Sequence, residues 1–282
     1  MNNTDWKSKG NFITINNNKV FVIDQGASDE TLLILHGYPT SSYDYYKVLP
    51  ELTKKYRVII HDHLGFGFSD KPINYSYLLK DQATIALQLW KQLGINKATL
   101  LAHDYGTSVA TEILARNNAN KIDLQINQLI LCNGSMHIEL SQLRTIQKLL
   151  KGRFGKYIAK LTNYTIFSRN LRNVYFDRTK VTKEELQQMW QQIEYNRGKK
   201  VIHLISDYIN QRHTHWNRWI GALKETDINT KIIWAKEDPV AVKAIAELLS
   251  TEIKKNELFW IEKCGHFPML EKPKEWTELV LK

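Results

Sequence analysis

Four short apolar runs constrain this chain more than any other feature. Thr31–Leu35, Arg57–His61, Ala98–Ala102 and Gln128–Cys132 are each five residues long, rich in Val, Ile and Leu, and bounded by turn residues. A strand with one face in water alternates apolar and polar residues. A short run without alternation reads as a strand buried on both faces. Helical segments follow three of the runs: Tyr43–Leu52, then Lys80–Leu93 with Ile85, Leu89 and Leu93 spaced by four, then Thr107–Asn117. Strand-then-helix alternation implies a doubly wound, mostly parallel sheet with helices on both faces. Ahead of it, Asn11–Ile15 and Lys19–Ile23 alternate around Asn16-Asn17-Asn18, which is a hairpin pattern.

The pattern changes at about residue 136. From Met136 to Lys224 the periodicity is helical and no buried strand stands out. The alternation resumes with Lys231–Ala235 (strand), Val242–Ser250 (helix), Glu257–Ile261 (strand) and Lys274–Leu281 (helix). The expected organisation is one α/β core, residues 1–135 and 226–282, interrupted by a helical cap over 136–225. A chain of 282 residues is long enough for one large core with an insertion. The two cysteines, Cys132 and Cys264, are too few for a disulfide framework and read as free thiols. The first ten residues contain no apolar segment, and no run reaches the length of a spanning helix. The expectation is a cytoplasmic protein, monomeric or dimeric.

The chemistry concentrates in Leu100-Leu101-Ala102-His103-Asp104-Tyr105-Gly106-Thr107-Ser108. A buried strand enters a helix through small-x-Asp-x-Gly. This is the nucleophile-elbow pattern with Asp at the nucleophile position. So sharp a turn needs small residues two before and two after it. It also aims a helix N-terminus at the carboxylate, which favours the ionised form. Two partners follow later strands: Asp238 in Lys236-Glu237-Asp238-Pro239, and His266 in Cys264-Gly265-His266-Phe267-Pro268. The order nucleophile, acid, base is that of α/β-hydrolases. His36-Gly37-Tyr38-Pro39 after the first buried strand supplies the other half of an oxyanion site, with the backbone N–H groups of Tyr38 and Tyr105 as donors. An isolated Asp at such a place is ordinarily a helix N-cap, but two partners in the right order speak against that here. His61-Asp62-His63 reads as a strand-end turn, since no third metal ligand accompanies it.

These strings resemble the α/β-hydrolase superfamily over nearly the whole chain, in the epoxide hydrolase and haloalkane dehalogenase branch, where the nucleophile is Asp. SSYDYYKVLPEL, LGFGFSDKP, LLAHDYG and YINQRHTHWNRWIGAL resemble the mesoderm-specific transcript proteins within it. The resemblance implies attack by Asp104 on a substrate carbon to give an alkyl-enzyme ester. Water activated by His266, itself oriented by Asp238, would then hydrolyse that ester, with no cofactor and no metal. His36-Gly37-Tyr38-Pro39 matches the HGxP motif of epoxide hydrolases, so His36 joins the expected substrate site. Tyr164 is the expected first cap tyrosine. The second should fall near Trp216-Asn217-Arg218, where Asn217 stands instead. Haloalkane dehalogenases carry Trp after the nucleophile, and Tyr105 stands there. Epoxide hydrolysis of a small hydrophobic substrate is therefore the leading reading. Dehalogenation is an alternative, and so is a ligand- or partner-binding protein with weak or no catalysis.

The charge adds one expectation. The chain carries 39 Lys+Arg against 29 Asp+Glu, a formal +10. Between Arg144 and Lys224 the count is 17 against 5, which leaves 22 against 24 elsewhere. The excess belongs to the cap. No nucleic-acid motif accompanies it, so no nucleic-acid partner is expected. A solvated helical face explains the charge, and weak contact with an anionic membrane surface is the sharper expectation.

Overall fold

A computed structural model describes residues 1–282. Eight strands form one sheet: β1 (Asn11–Ile15), β2 (Asn18–Gln25), β3 (Thr31–Leu35), β4 (Arg57–His61), β5 (Lys97–His103), β6 (Gln125–Cys132), β7 (Thr230–Ala235) and β8 (Asn256–Ile261). Their spatial order is β1-β2-β4-β3-β5-β6-β7-β8. β2 is antiparallel to both its neighbours, and β3 to β8 pair in parallel. Asn16 and Asn17 turn the β1–β2 hairpin with φ of 48° and 63°, values Asn tolerates better than most residues. Every residue of β3 and β7 is buried, as expected of strands covered on both faces.

The helices Leu79–Gln92 and Tyr105–Asn118 cross between parallel strands. Between β6 and β7 the chain forms the helices Thr145–Leu150, Gly155–Leu161, Tyr164–Arg172, Lys183–Glu194, Ile202–Ile205, Tyr208–Thr214 and Trp216–Glu225, with two 3₁₀ turns and no strand. One ionic cluster ties this helical block to the core. Glu112, on the helix Tyr105–Asn118, accepts from Arg116 Nε at 2.9 Å, Arg218 Nε at 2.8 Å and Trp219 Nε1 at 2.9 Å.

Two features differ from the sequence reading. Tyr43–Leu52 is a 3₁₀ turn, Ser42–Tyr45, and a single helical turn, Leu49–Leu52. Pro50 at the second helical position has no N–H to continue a helix from upstream. The second is an additional helix, Asn3–Lys7, capped by Asn2. Its buried Trp6 donates to Ser42 Oγ at 3.1 Å, and Asn3 N–H donates to Gln188 Oε1 of the cap at 2.7 Å. Five residues are too few to show a period.

The parallel strands share a direction, so their carboxyl ends open on one edge of the sheet. The segments after β3, β5, β6, β7 and β8 meet there, where ligands bind in open α/β sheets.

Candidate active site

Only Asp104 separates β5 from the helix Tyr105–Asn118. Its backbone takes φ 46° and ψ −108°, a conformation that costs a non-glycine residue about 1–3 kcal/mol and clusters at functional sites. The turn is tight because the new helix returns directly over β3. A Cβ on Gly106 would lie 2.2 Å from the Leu35 carbonyl oxygen, so no larger residue fits there.

The two carboxylate oxygens of Asp104 have different partners. Oδ1 accepts the backbone N–H of Tyr38 at 2.7 Å. Oδ2 lies 3.6 Å from His266 Nε2. His266 Nδ1 sits 2.7 Å from Asp238 Oδ2. Asp238 is held in turn: Oδ1 accepts the N–H groups of Val240 at 2.7 Å and Ala241 at 3.1 Å, and Oδ2 accepts Asn133 Nδ2 at 2.8 Å. All three residues are buried. The chain of contacts runs acid to imidazole to carboxylate without a break.

Burial by itself raises the pKa of Asp104. The hydrogen-bonding and charge of His266, with the charge of Arg212, outweigh it and hold the carboxyl well below the usual range. Burial likewise disfavours the imidazolium of His266. The carboxylates of Asp238 and Asp104 overcome that and raise its pKa from 6.5 to about 10. The resting pair is therefore carboxylate and imidazolium.

The other residues expected at the site separate into two groups. Tyr38 delivers its N–H to Asp104, and Tyr105 opens the helix, where first-turn N–H groups have no intrahelical acceptor. The remaining four stand elsewhere. His36 is fully buried and both ring nitrogens face backbone: Nδ1 lies 2.8 Å from Gly37 O, and Nε2 accepts His63 N–H at 3.0 Å. It braces the loop that carries Tyr38, and burial lowers its pKa to about 4, so the ring is neutral. Tyr164 reaches Lys183 O at 3.3 Å on the cap. Trp216 donates to Glu139 at 2.8 Å. Asn217 is exposed. None of these three is bonded to Asp104, Asp238 or His266: Tyr164 and Trp216 are half-buried against the core, and Asn217 faces solvent.

Three cap residues not expected at the site take their place. Arg212 is buried, donating Nη2 to Asp104 O at 3.0 Å and Nε to Ser108 Oγ at 2.6 Å. Its guanidinium lies 4.7 Å from the Tyr208 ring centroid. Tyr208 is buried beside Tyr38 and Tyr105, with ring centroids 5.4 and 5.3 Å away. Its Oη accepts Gln147 Nε2 at 3.1 Å. Burial, then the Asp104 charge, raises the phenol pKa well above its usual value. The available signal was Tyr208 and Arg212 four residues apart, one turn of helix, within YINQRHTH.

A largely apolar cavity leads away from this centre. Tyr38, His266 and Phe267 form its floor. Leu150, Phe167, Leu171, Val174 and Ile202 of the cap make most of its wall apolar.

A parallel sheet bearing an acid–imidazole–carboxylate chain at its carboxyl edge, under a helical cap, defines a hydrolase of the α/β class. The family model described as alpha/beta hydrolase fold matches residues 30–273, and the chain belongs to that family. The mesoderm-specific transcript protein of Mus musculus is 38% identical over 279 residues, covering 95% of this chain and 83% of that protein. LipZ of Mycobacterium tuberculosis is 33% identical over 277 residues, 98% and 96% of the two chains. Among solved structures, the haloalkane dehalogenase DbeA from Bradyrhizobium elkani superposes with a TM-score of 0.81 at 21% identity, covering 96% of this chain and 95% of that one. The epoxide hydrolase CorEH gives 0.76 at 20% identity, with 96% of both chains covered. At such identities the likeness concerns the fold.

Proposed function

We propose that this hydrolase uses Asp104 as its nucleophile, forms an alkyl-enzyme ester, and acts on small hydrophobic epoxides. The observation that carries the reading is the division of the Asp104 carboxylate. Oδ1 is held by an oxyanion-type N–H, and Oδ2 faces the imidazole that would activate water. In the first step Oδ2 attacks an epoxide carbon and the C–O bond breaks. The leaving alkoxide takes the Tyr208 hydroxyl proton. That hydroxyl is buried and accepts from Gln147, so its own proton is free to be donated. Ester formation removes the Asp104 charge, and with it one of the two carboxylates that hold the imidazolium. His266 then loses its proton to solvent and becomes a base.

In the second step His266 takes a proton from water, and the hydroxide attacks the ester carbonyl. The Tyr38 and Tyr105 N–H groups stabilise the oxyanion. Collapse breaks the ester bond and expels the diol alkoxide, which takes its proton from His266. Water then restores the Tyr208 proton. The apolar cavity wall suits an apolar substrate body. The halide reading has less support: Trp216 and Trp219 commit their indole N–H groups to Glu139 and Glu112.

The test is His266→Gln, which should complete the first step and stall before the second. Incubation with styrene oxide and a long-chain terminal epoxide, followed by intact-mass measurement, should show one adduct of epoxide mass, mapped by proteolysis to Asp104. No adduct with either epoxide, together with halide release from 1,2-dibromoethane by the native enzyme, would replace epoxide hydrolysis by dehalogenation. No adduct and no halide would leave a binding protein.

A further inference from the structure

Ten large apolar side chains are exposed in the whole protein, and six of them lie between Leu149 and Phe176: Leu149, Phe154, Tyr157, Leu161, Ile166 and Phe176. Phe154, Tyr157 and Leu161 are 66%, 62% and 70% exposed. Their spacing of three and four places them on one stripe of the helix Gly155–Leu161 and its N-cap. Arg153, Lys156 and Lys160 repeat the same spacing one residue earlier and form a parallel basic stripe, also exposed.

The charge of this segment is one-sided. From Arg144 to Phe176 there are eight Lys+Arg and no Asp or Glu. None of the eight takes part in an ion pair of the folded chain. Elsewhere eleven cations do meet a carboxylate, among them Arg116 and Arg218 on Glu112 and Lys47 on Glu185. Apolar side chains beside unpaired cations are what an anionic lipid surface recognises, with the rings and aliphatic chains entering the headgroup boundary and the cations meeting lipid charge. The patch also joins the cavity. Ile166 is 38% exposed and lines the cavity, and Leu150, next to the exposed Leu149, lines it too.

We infer that the cap segment 149–176 is a membrane-docking face, which seats the cavity mouth on an anionic lipid surface so that an apolar substrate enters from the bilayer. The docking stands on the patch alone; the identity of what enters rests on the function proposed above. No helix of the protein is long and apolar enough to cross a membrane, so the contact is interfacial.

Full-length protein is floated with vesicles of phosphatidylcholine, and with vesicles of phosphatidylcholine and phosphatidylserine in equal parts. The expected result is binding to the second only, weakened by salt. Lys156→Gln/Lys160→Gln should lower that affinity about 20- to 30-fold, at roughly 1 kcal/mol per basic residue near the surface. Phe154→Ser/Leu161→Ser should lower it at least about tenfold, from lost apolar burial. All four positions are exposed, so thermal melts should match the native protein, and turnover of a water-dissolved substrate should not change. Equal binding to both vesicle types, or binding unmoved by either double substitution, would overturn the inference. So would a concentration-dependent dimer in sedimentation velocity that Phe154→Ser/Leu161→Ser abolishes while vesicles are ignored, which would make the patch a self-interface. An absent Asp104 adduct with intact vesicle binding removes the proposed chemistry and leaves the docking face. The reverse pattern removes the docking face alone.

Discussion

Replacing Asp104 by Asn imitates, in the resting protein, the electrostatic change that ester formation would make. The side chain keeps its shape and loses its charge. His266 then keeps Asp238 at 2.7 Å but loses the carboxylate at 3.6 Å. Unit charges at 3.6 Å interact with about 4–5 kcal/mol at an effective dielectric near 20. Relaxation of the freed site reduces what a titration reads, and each 1.36 kcal/mol moves a pKa by one. The His266 pKa, raised to about 10 in the native protein, should therefore fall by roughly 2 or more, to near 8. The sign follows from the charges: the imidazolium has lost an anion, so it releases its proton more readily. Ring-labelled histidine followed by NMR across the pH range measures it, and His266→Gln assigns the resonance among nine histidines. A midpoint in Asp104→Asn within half a pH unit of the native value would refute the coupling. It would also remove the reason why His266 turns from imidazolium into a base between the two steps.

Tyr208→Phe removes the proposed leaving-group proton donor with little change of volume. Its kcat on an epoxide should fall about 100-fold or more, with KM nearly unchanged; an unaltered kcat assigns the donor elsewhere. Glu112 joins the core to the cap, and its side chain is 2% exposed. Burial opposes its charge, but bonds from Arg218, Trp219 and Arg116 hold the pKa down at about 2 against 4.5 unperturbed, a difference worth about 3 kcal/mol. A depressed carboxyl pKa stabilises the fold above pH 4.5, and that contribution is lost as pH falls toward 2. Glu112→Ala should therefore lower Tm by roughly 5–8 °C at pH 7. Calorimetry should find the gap between variant and native narrowing on acidification; a gap constant with pH would refute the assignment.

The core of this protein was legible in its sequence because local pattern and tertiary role coincide there. Thr31–Leu35 and Arg57–His61 are strands with the bounds their apolar runs suggest. A run buried on both faces can only be central in a sheet, and the residue after it can only stand at the sheet's edge. Asp104 and Asp238 each follow such a run, and His266 follows the parallel edge strand β8, so their convergence comes from topology and needs no knowledge of side-chain contacts. The elbow was legible for the same reason: Gly106 is small because the Leu35 backbone passes too close to it for any side chain, and that demand is local.

The cap obeyed a weaker rule. Its helical character showed in the 3.6-residue period, and its charge showed in the count. Period identifies the buried face of a helix but not the surface that buries it. Tyr164, Trp216 and Asn217 sit on helices of the expected kind, yet Tyr208, Arg212 and Gln147 are the residues near Asp104. The difference is set by how short helices of four to twelve residues turn against one another, and those turns depend on packing between segments far apart in the chain. The same holds for the exposed stripe of Phe154, Tyr157 and Leu161, which in sequence is indistinguishable from a stripe facing the core. Sequence alone determined the sheet, the order of the three charged residues and the basic excess of the cap. Only the folded chain decided which cap side chains gather at the elbow and which are left to face outward, because that choice is made by long-range packing and not by any local period.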